Sequence, residues 1–191
     1  MQKLPFDPFP ALSGENLLLR EVLYADMHAL WEISFYDGQP ARSAEEAWEM
    51  QKRIIVDYAA GNSVHWAIVD PVTQSVVGTC GYYRGFEAES GELGCVLLPQ
   101  HRQKGFMTTA LGMTIQFGFD TLGLKRITAL THEENARAIR LLERLGFVKE
   151  VDRKDDLIIF SKEKGPHEAI KGSSGKTKKK RCNTETLARR P

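Results

Sequence analysis

Apolar residues along this chain switch between two spacings, and each switch marks an element. An apolar stretch at 16–22 reads as a first strand, and Met27, Leu30, Trp31 and Phe35 recur at helical spacing, predicting a helix over 26–35. Ser43 and Glu46 form an S-x-x-E capping box that opens a second helix through Tyr58, stopped by Gly61. Residues 63–69 (SVHWAIV) and 74–83 (QSVVGTCGYY) read as strands joined by a turn at Pro71, and a third strand at 92–98 follows a turn at 89–91. Leu111, Ile115 and Phe119 share one face of a helix over 108–122. A strand at 125–131, a helix at 135–145 closed by Gly146, and a hairpin of 147–151 with 157–161 across a turn at 153–156 complete the pattern.

The order is β-α-α-β-β-β-α-β-α-β-β. Three strands form an antiparallel meander, and a helical crossover then leads to a strand parallel to its predecessor. The expected fold class is α/β (α+β), a mixed, mostly antiparallel central sheet with helices on both faces.

The 191 residues, 42% of them apolar, suit one domain with a substantial core and a tail. The net charge of +1 hides an asymmetry. Residues 164–191 carry nine Lys/Arg against two Asp/Glu, or +7, which leaves 17 and 23 over residues 1–163, or −6. The expected organisation is therefore a domain over 1–163 and a basic, low-complexity, disordered tail over 164–191. The acidic body offers no basic footprint for nucleic acid, and only the KTKKKR run in the tail motivates such a partner. No run of eighteen apolar residues indicates a membrane span, and the N-terminus lacks a secretory pattern. Cys80, Cys95 and Cys182 have no metal-ligand spacing and form an odd set, so reduced thiols in a cytoplasm are expected, with no metal.

The most informative stretch is 91–107, GELGCVLLPQHRQKGFM. An apolar strand ends at Pro99 and passes through a short basic turn into a helix expected to begin near Thr108. The first turn of a helix has backbone N–H groups without intrahelical partners and a partial positive charge, which suits a phosphate. Gly105 lets the backbone approach such an anion, and Arg102 and Lys104 add positive charge around it.

The run Arg102-Gln103-Lys104-Gly105-Phe106-Met107 resembles the pyrophosphate loop of the GNAT superfamily of N-acetyltransferases, Q/R-x-x-G-x-G/A. A second segment, NARAIRLLERLGF from Asn135 to Phe147, is similar to the family's later helix, and ENLLLREVLYADMHALWEI resembles the opening of the RimJ/RimL branch, which acetylates ribosomal-protein N-termini. The resemblance covers about residues 12–162. It implies the GNAT fold, acetyl-CoA as cosubstrate over residues 102–108, and Cys95, Val96 and Leu97 beside the thioester end of the pantetheine arm. Asn135 would bond backbone or pantetheine, or act as a helix N-cap. A bulge eased by Gly94 would free the strand's N–H groups for the arm and the oxyanion. Met107 departs from the Gly or Ala usual there, Leu142 stands where many relatives have a proton-donating tyrosine, and Ala138 stands where this branch often has serine. In this fold an exposed last strand often mediates a homodimer.

Acetyl transfer to an amine needs a held donor, a neutral amine and a stabilised oxyanion. A free alkyl amine has a pKa of about 10.4, so desolvation or a base must remove a proton, while a thiol of pKa about 8.5 leaves passably unaided. Glu92, at the acceptor end of the strand, is the expected base, against the plainer reading of a solvated strand-end carboxylate. His132, in the loop before Asn135, is the next choice, although a surface histidine is the plainer reading. His65, beside Trp66 in a strand, reads as structural, and of Trp31, Phe35, Tyr36 and Trp48 only Tyr36 is expected to line an acceptor pocket. The expected activity is acetyl transfer to a primary amine, either a protein or peptide N-terminus or a small amine. The competing classes are a non-catalytic acyl-CoA-binding module and a nucleic-acid-associated protein acting through the tail.

Overall fold

The computed structural model describes residues 4–165, so the tail from 166 onward lies outside the described residues. Its strands are β1 (Leu12–Ser13), β2 (Leu18–Glu21), β3 (Phe35–Tyr36), β4 (Gln39–Pro40), β5 (Val64–Asp70), β6 (Ser75–Tyr83), β7 (Ser90–Leu97), β8 (Arg126–His132), β9 (Val148–Lys154) and β10 (Leu157–Glu163). The helices are α1 (Met27–Leu30), α2 (Ala44–Ala59), α3 (Phe106–Phe117) and α4 (Ala136–Arg144). Eight strands form one sheet in the order β1-β2-β5-β6-β7-β8-β10-β9, and β3 pairs with β4 apart from it. Every pairing is antiparallel except β7 with β8, where α3 makes the crossover.

Alternate residues of β5 serve opposite faces of the sheet. Trp66 and Ile68 pack with Leu111, Ile115 and Phe117 of α3, while Ala67 and Val69 pack with Met27 and Leu30 of α1 and Ala47 and Met50 of α2. Leu142 of α4 joins the first cluster. The second helix is capped as expected: Ser43 Oγ accepts from the Glu46 N–H at 3.2 Å. The reciprocal arm is shifted by one residue, because Glu46 accepts from the Arg42 N–H at 2.9 Å and from its guanidinium at 3.0 and 3.1 Å.

The expected helix over 26–35 is not one helix. A 3₁₀ turn at Tyr24–Asp26, the four residues of α1 and a second 3₁₀ turn at Trp31–Ile33 lead into the β3–β4 hairpin. Ser34 ends the helical stretch, its hydroxyl donating to the Leu30 carbonyl at 2.9 Å and its own carbonyl accepting from the Ala41 N–H at 2.9 Å. Asp37 and Gly38, both at positive φ, supply the two-residue turn. β7 also begins two residues earlier than expected. Helix α3 starts at Phe106 rather than Thr108, and it passes into a π turn at Gly118–Leu122. The terminal hairpin is present, with β10 inserted between β8 and β9, so that β9 is the edge strand at that end of the sheet and exposes Val148 and Val151. The Lys164 N–H bonds the Lys125 carbonyl at 2.9 Å, which carries the sheet's hydrogen bonding one residue past the expected domain boundary.

Candidate active site

The parallel register of β7 with β8 runs from Ser90–Arg126 through Gly91–Ile127 to Glu92–Thr128 and stops there. On its other side β7 stays paired with β6 without interruption, from Tyr83–Glu92 to Gly78–Leu97. The expected bulge at Gly94 is therefore absent. The opening comes from the divergence of β7 and β8 beyond Glu92, which leaves the backbone of Leu93 to Leu97 unpaired on that side among the described residues. Gly94 serves a different purpose. A Cβ there would lie 2.7 Å from Cε2 of Tyr83, so the bare Cα admits that ring.

A cleft of about 680 Å³ opens along the diverging strand. It brings together Cys95, Val96 and Leu97 of β7, Arg102, Gln103, Gly105, Met107 and Thr108 of the turn and first helical turn, and Asn135. Gly105 is the N-cap of α3 at φ +85, and Gln103 is at φ +63. The first amide bonded within the helix is that of Thr109, to the Gly105 carbonyl at 3.2 Å, so Phe106, Met107 and Thr108 have N–H groups free of intrahelical partners. The Arg102 guanidinium donates from Nε to the Leu97 carbonyl at 3.4 Å, tying the turn to the end of β7. Two expected members lie apart: Lys104 is exposed and does not line the cleft, and Phe106 packs against the core with its ring 6.3 Å from that of His101. Asn135 lines the cleft and is also the N-cap of α4, accepting from the Ala138 N–H at 3.2 Å.

Helix α4 contributes what was missed from the sequence. Arg137, Arg140 and Arg144, at i, i+3 and i+7, line the same cleft together with Ala138 and Leu141. With Arg102 they make four guanidinium groups and no carboxylate among its lining residues. Leu142, by contrast, is buried in the core and does not line the cleft.

A second, wider cleft of about 1140 Å³ lies beyond the point of divergence. Asp37, Asp57, Glu87 and Glu92 line it, against a single cation, Arg84. Glu92 is 19% exposed and ion-paired to Arg84 through Oε1, while Oε2 lies 3.7 Å from Lys154. Tyr36 and Phe35 line this cleft from the β3–β4 hairpin. The Arg53 guanidinium sits 5.3 Å above the Tyr36 ring, and the Tyr36 hydroxyl donates to Asp57 at 3.5 Å. Trp48 instead stacks edge-on against Tyr24, 5.4 Å between ring centres. His132 is exposed and lines neither cleft.

Between the clefts is a chamber of about 210 Å³. It shares Cys95 and Val96 with the arginine-lined cleft and Phe35, Ile54 and Tyr83 with the acidic one. Solvent reaches Cys95 through these openings, yet the protein packed around the thiol pushes its pKa up to about 12. It is a poor nucleophile at neutral pH.

The parallel pair splays, a glycine caps the helix beside the gap, and arginines line the cleft between them. The family model of the Acetyltransferase (GNAT) domain matches residues 16–148, and the chain belongs to that family. It is an N-acetyltransferase, of a family that uses acetyl-CoA. It is 33% identical over 148 residues to the N-acetyltransferase p20 of Bacillus licheniformis, covering 73% of this chain and 83% of that one. It is 26% identical over 119 residues to the spermidine N(1)-acetyltransferase of Vibrio cholerae, covering 62% and 66%. Its fold matches the ribosomal-protein-S5-alanine acetyltransferase of Vibrio fischeri with a TM-score of 0.67 at 21% identity, over 81% of this chain and 96% of that one. Among the described residues no group of side chains has the makings of a metal site, and no helix is long and apolar enough to cross a membrane.

Proposed function

We propose that the chain transfers the acetyl group of acetyl-CoA directly to a cationic primary amine, a protein or peptide N-terminus or a small polyamine. The donor would lie in the arginine-lined cleft, its pyrophosphate on the Gln103–Thr108 turn and its thioester beside Cys95 and Val96. One observation carries the acceptor class: the wide cleft on the far side of the chamber has four carboxylates and one cation in its lining. Such a wall concentrates ammonium groups and steers them toward the chamber. Two relatives favour amines of this kind, one named for spermidine and one for a protein alanine. The raised pKa of Cys95 favours direct attack over an acyl-cysteine intermediate.

In this reading the amides of β7 left free by the divergence pair with the pantetheine arm and hold the oxyanion. Glu92, with both carboxylate oxygens facing cations, holds the acceptor's positive charge at the mouth. The test is thiol release from acetyl-CoA over a panel of polyamines, amino acids and peptides with free N-termini. Turnover of cationic amines with little response to neutral or anionic ones is the expected result, and preference for anionic acceptors would refute it.

A further inference from the structure

The chamber between the clefts contains no carboxylate, lysine or arginine in its lining. Met27, Leu30, Ile33 and Met50 make its apolar wall, under α1 and α2, and β5, β6 and β7 form its floor. Its polar side chains are Ser34, Gln51, His65, Thr79, Tyr83 and Cys95. An amine that reaches the thioester from the acidic cleft passes through this space, where loss of water favours its neutral form.

Among those six side chains only His65 can take a proton near neutral pH. Burial raises the Tyr83 phenol well above its ordinary value and pushes the Cys95 thiol to about 12. His65 Nδ1 lies 3.1 Å from Oε1 of Gln51, a side chain only 6% exposed. A carbonyl oxygen accepts and does not donate, so Nδ1 carries the ring proton and Nε2 presents its lone pair. His65 lines the chamber, and among the described residues its one side-chain hydrogen bond is through Nδ1, which leaves Nε2 as the nitrogen available to a group entering that space. Tyr83 stands on its other flank, 5.5 Å between ring centres.

We propose that His65, oriented by Gln51, takes the proton from the attacking amine and returns it to the departing sulfur of acetyl-CoA. This rests on the reading that the thioester lies beside Cys95 and Val96. The neutral amine attacks the thioester carbon, a C–N bond forms, and the carbonyl oxygen takes up the electron pair. The amine nitrogen gives its proton to Nε2, the C–S bond breaks, and the imidazolium protonates the thiolate. The products are the amide and free CoA thiol, and His65 ends as it began. Burial lowers the His65 pKa to about 4, so the imidazole is neutral when the amine arrives and its conjugate acid is strong enough to protonate a thiol of pKa about 8.5. Gln51 of α2 and Tyr83 of β6 lie beside it, and the other titratable group of the lining, the Cys95 thiol of β7, is likewise uncharged at neutral pH. The same residue thereby supplies the acid that the Leu142 position lacks.

The test uses the full chain with spermidine and with a short peptide bearing a free N-terminal alanine as acceptors. His65→Gln is expected to lower kcat by about 10² to 10⁴ while acetyl-CoA affinity by calorimetry stays at the parent's value. His65→Ala should show a similar loss, part of which added imidazole restores. Full activity of His65→Gln, or a loss in His65→Ala that imidazole leaves untouched, overturns the assignment. Gly105→Val in the same series separates the two readings. If His65 alone is wrong, Gly105→Val still weakens acetyl-CoA binding; if the donor lies elsewhere, both variants bind and turn over as the parent does.

Discussion

The ring of Tyr83 lies over the bare Cα of Gly94, on the adjacent strand, so closely that a methyl group there would approach Cε2 to 2.7 Å. Tyr83 borders both the chamber and the acidic cleft, so a side chain at this glycine would displace a ring that both spaces share. Gly94→Ala must turn the ring toward His65 or push the strands apart, at a cost of about 1–3 kcal/mol. The expected outcome is a lower melting temperature together with a turnover loss that exceeds any change in acetyl-CoA affinity. Unchanged kinetics would show that turnover does not depend on the position of this ring.

Gly105 presents the opposite situation. A Cβ there would meet nothing within 4 Å, so the cost of a side chain comes from φ +85 and from crowding whatever lies over the helix terminus. Gly105→Val should weaken acetyl-CoA binding by tenfold or more, about 1.4 kcal/mol. Gly105→Asn, which tolerates positive φ, should lose less. Calorimetry with acetyl-CoA checks both, and equal affinity in the valine variant would move the pyrophosphate off this turn.

Arg137, Arg140 and Arg144 present a row of guanidinium groups to the donor cleft. Arg140→Gln is expected to weaken CoA binding several-fold and to flatten its dependence on ionic strength, since screening acts on the charge removed. Titrations at two salt concentrations read this directly. A loss independent of salt would point to packing rather than charge.

These arginines were visible in the sequence as a helical row, but the surface they face forms only where two strands diverge, some forty residues earlier in the chain. Local periodicity carries no sign of where a sheet splits. The turn through Gly105 was legible because its chemistry is local: a strand end, a glycine at positive φ and a helix start lie within a few residues. The Asp37-Gly38 pair was equally local, a two-residue hairpin signal that outranks the helical spacing of Trp31 and Phe35. Gly94 suggested a bulge because a strand glycine commonly marks one, yet the ring that needs the space comes from Tyr83 on the neighbouring strand. His65 read as a structural residue for a similar reason: its partner Gln51 and its open nitrogen belong to a chamber built by α1, α2 and three strands together.

Glu92 was the base expected from the sequence, and its ion pairs with Arg84 and Lys154 favour a role in holding charge. Glu92→Gln is expected to raise KM for spermidine several-fold, with kcat and acetyl-CoA affinity near the parent's values. Steady-state kinetics across pH distinguishes the roles. A fall in kcat of about 10² to 10⁴ that shrinks toward the pKa of the amine would return proton transfer to Glu92.

The lowered pKa of His65 also has a consequence for stability that needs no substrate. Burial holds the folded-state value near 4, against 6.5 for an exposed imidazole. Between those values the unfolded chain binds a proton that the folded chain does not, so stability is fully present above about pH 6.5 and is lost as pH falls toward 4. A shift of this size corresponds to about 3 kcal/mol, and solvent reaching the ring through the chamber reduces it to about 1–2 kcal/mol. His65→Gln removes the titration, so the stability gap between parent and variant should narrow, or reverse in the variant's favour, from pH 7 to pH 4.5. Urea unfolding of both proteins at the two pH values measures the gap, and carboxylate contributions common to both cancel in the difference. A gap that stays constant across the window would mean that the ring protonates as freely in the folded state as in the unfolded one.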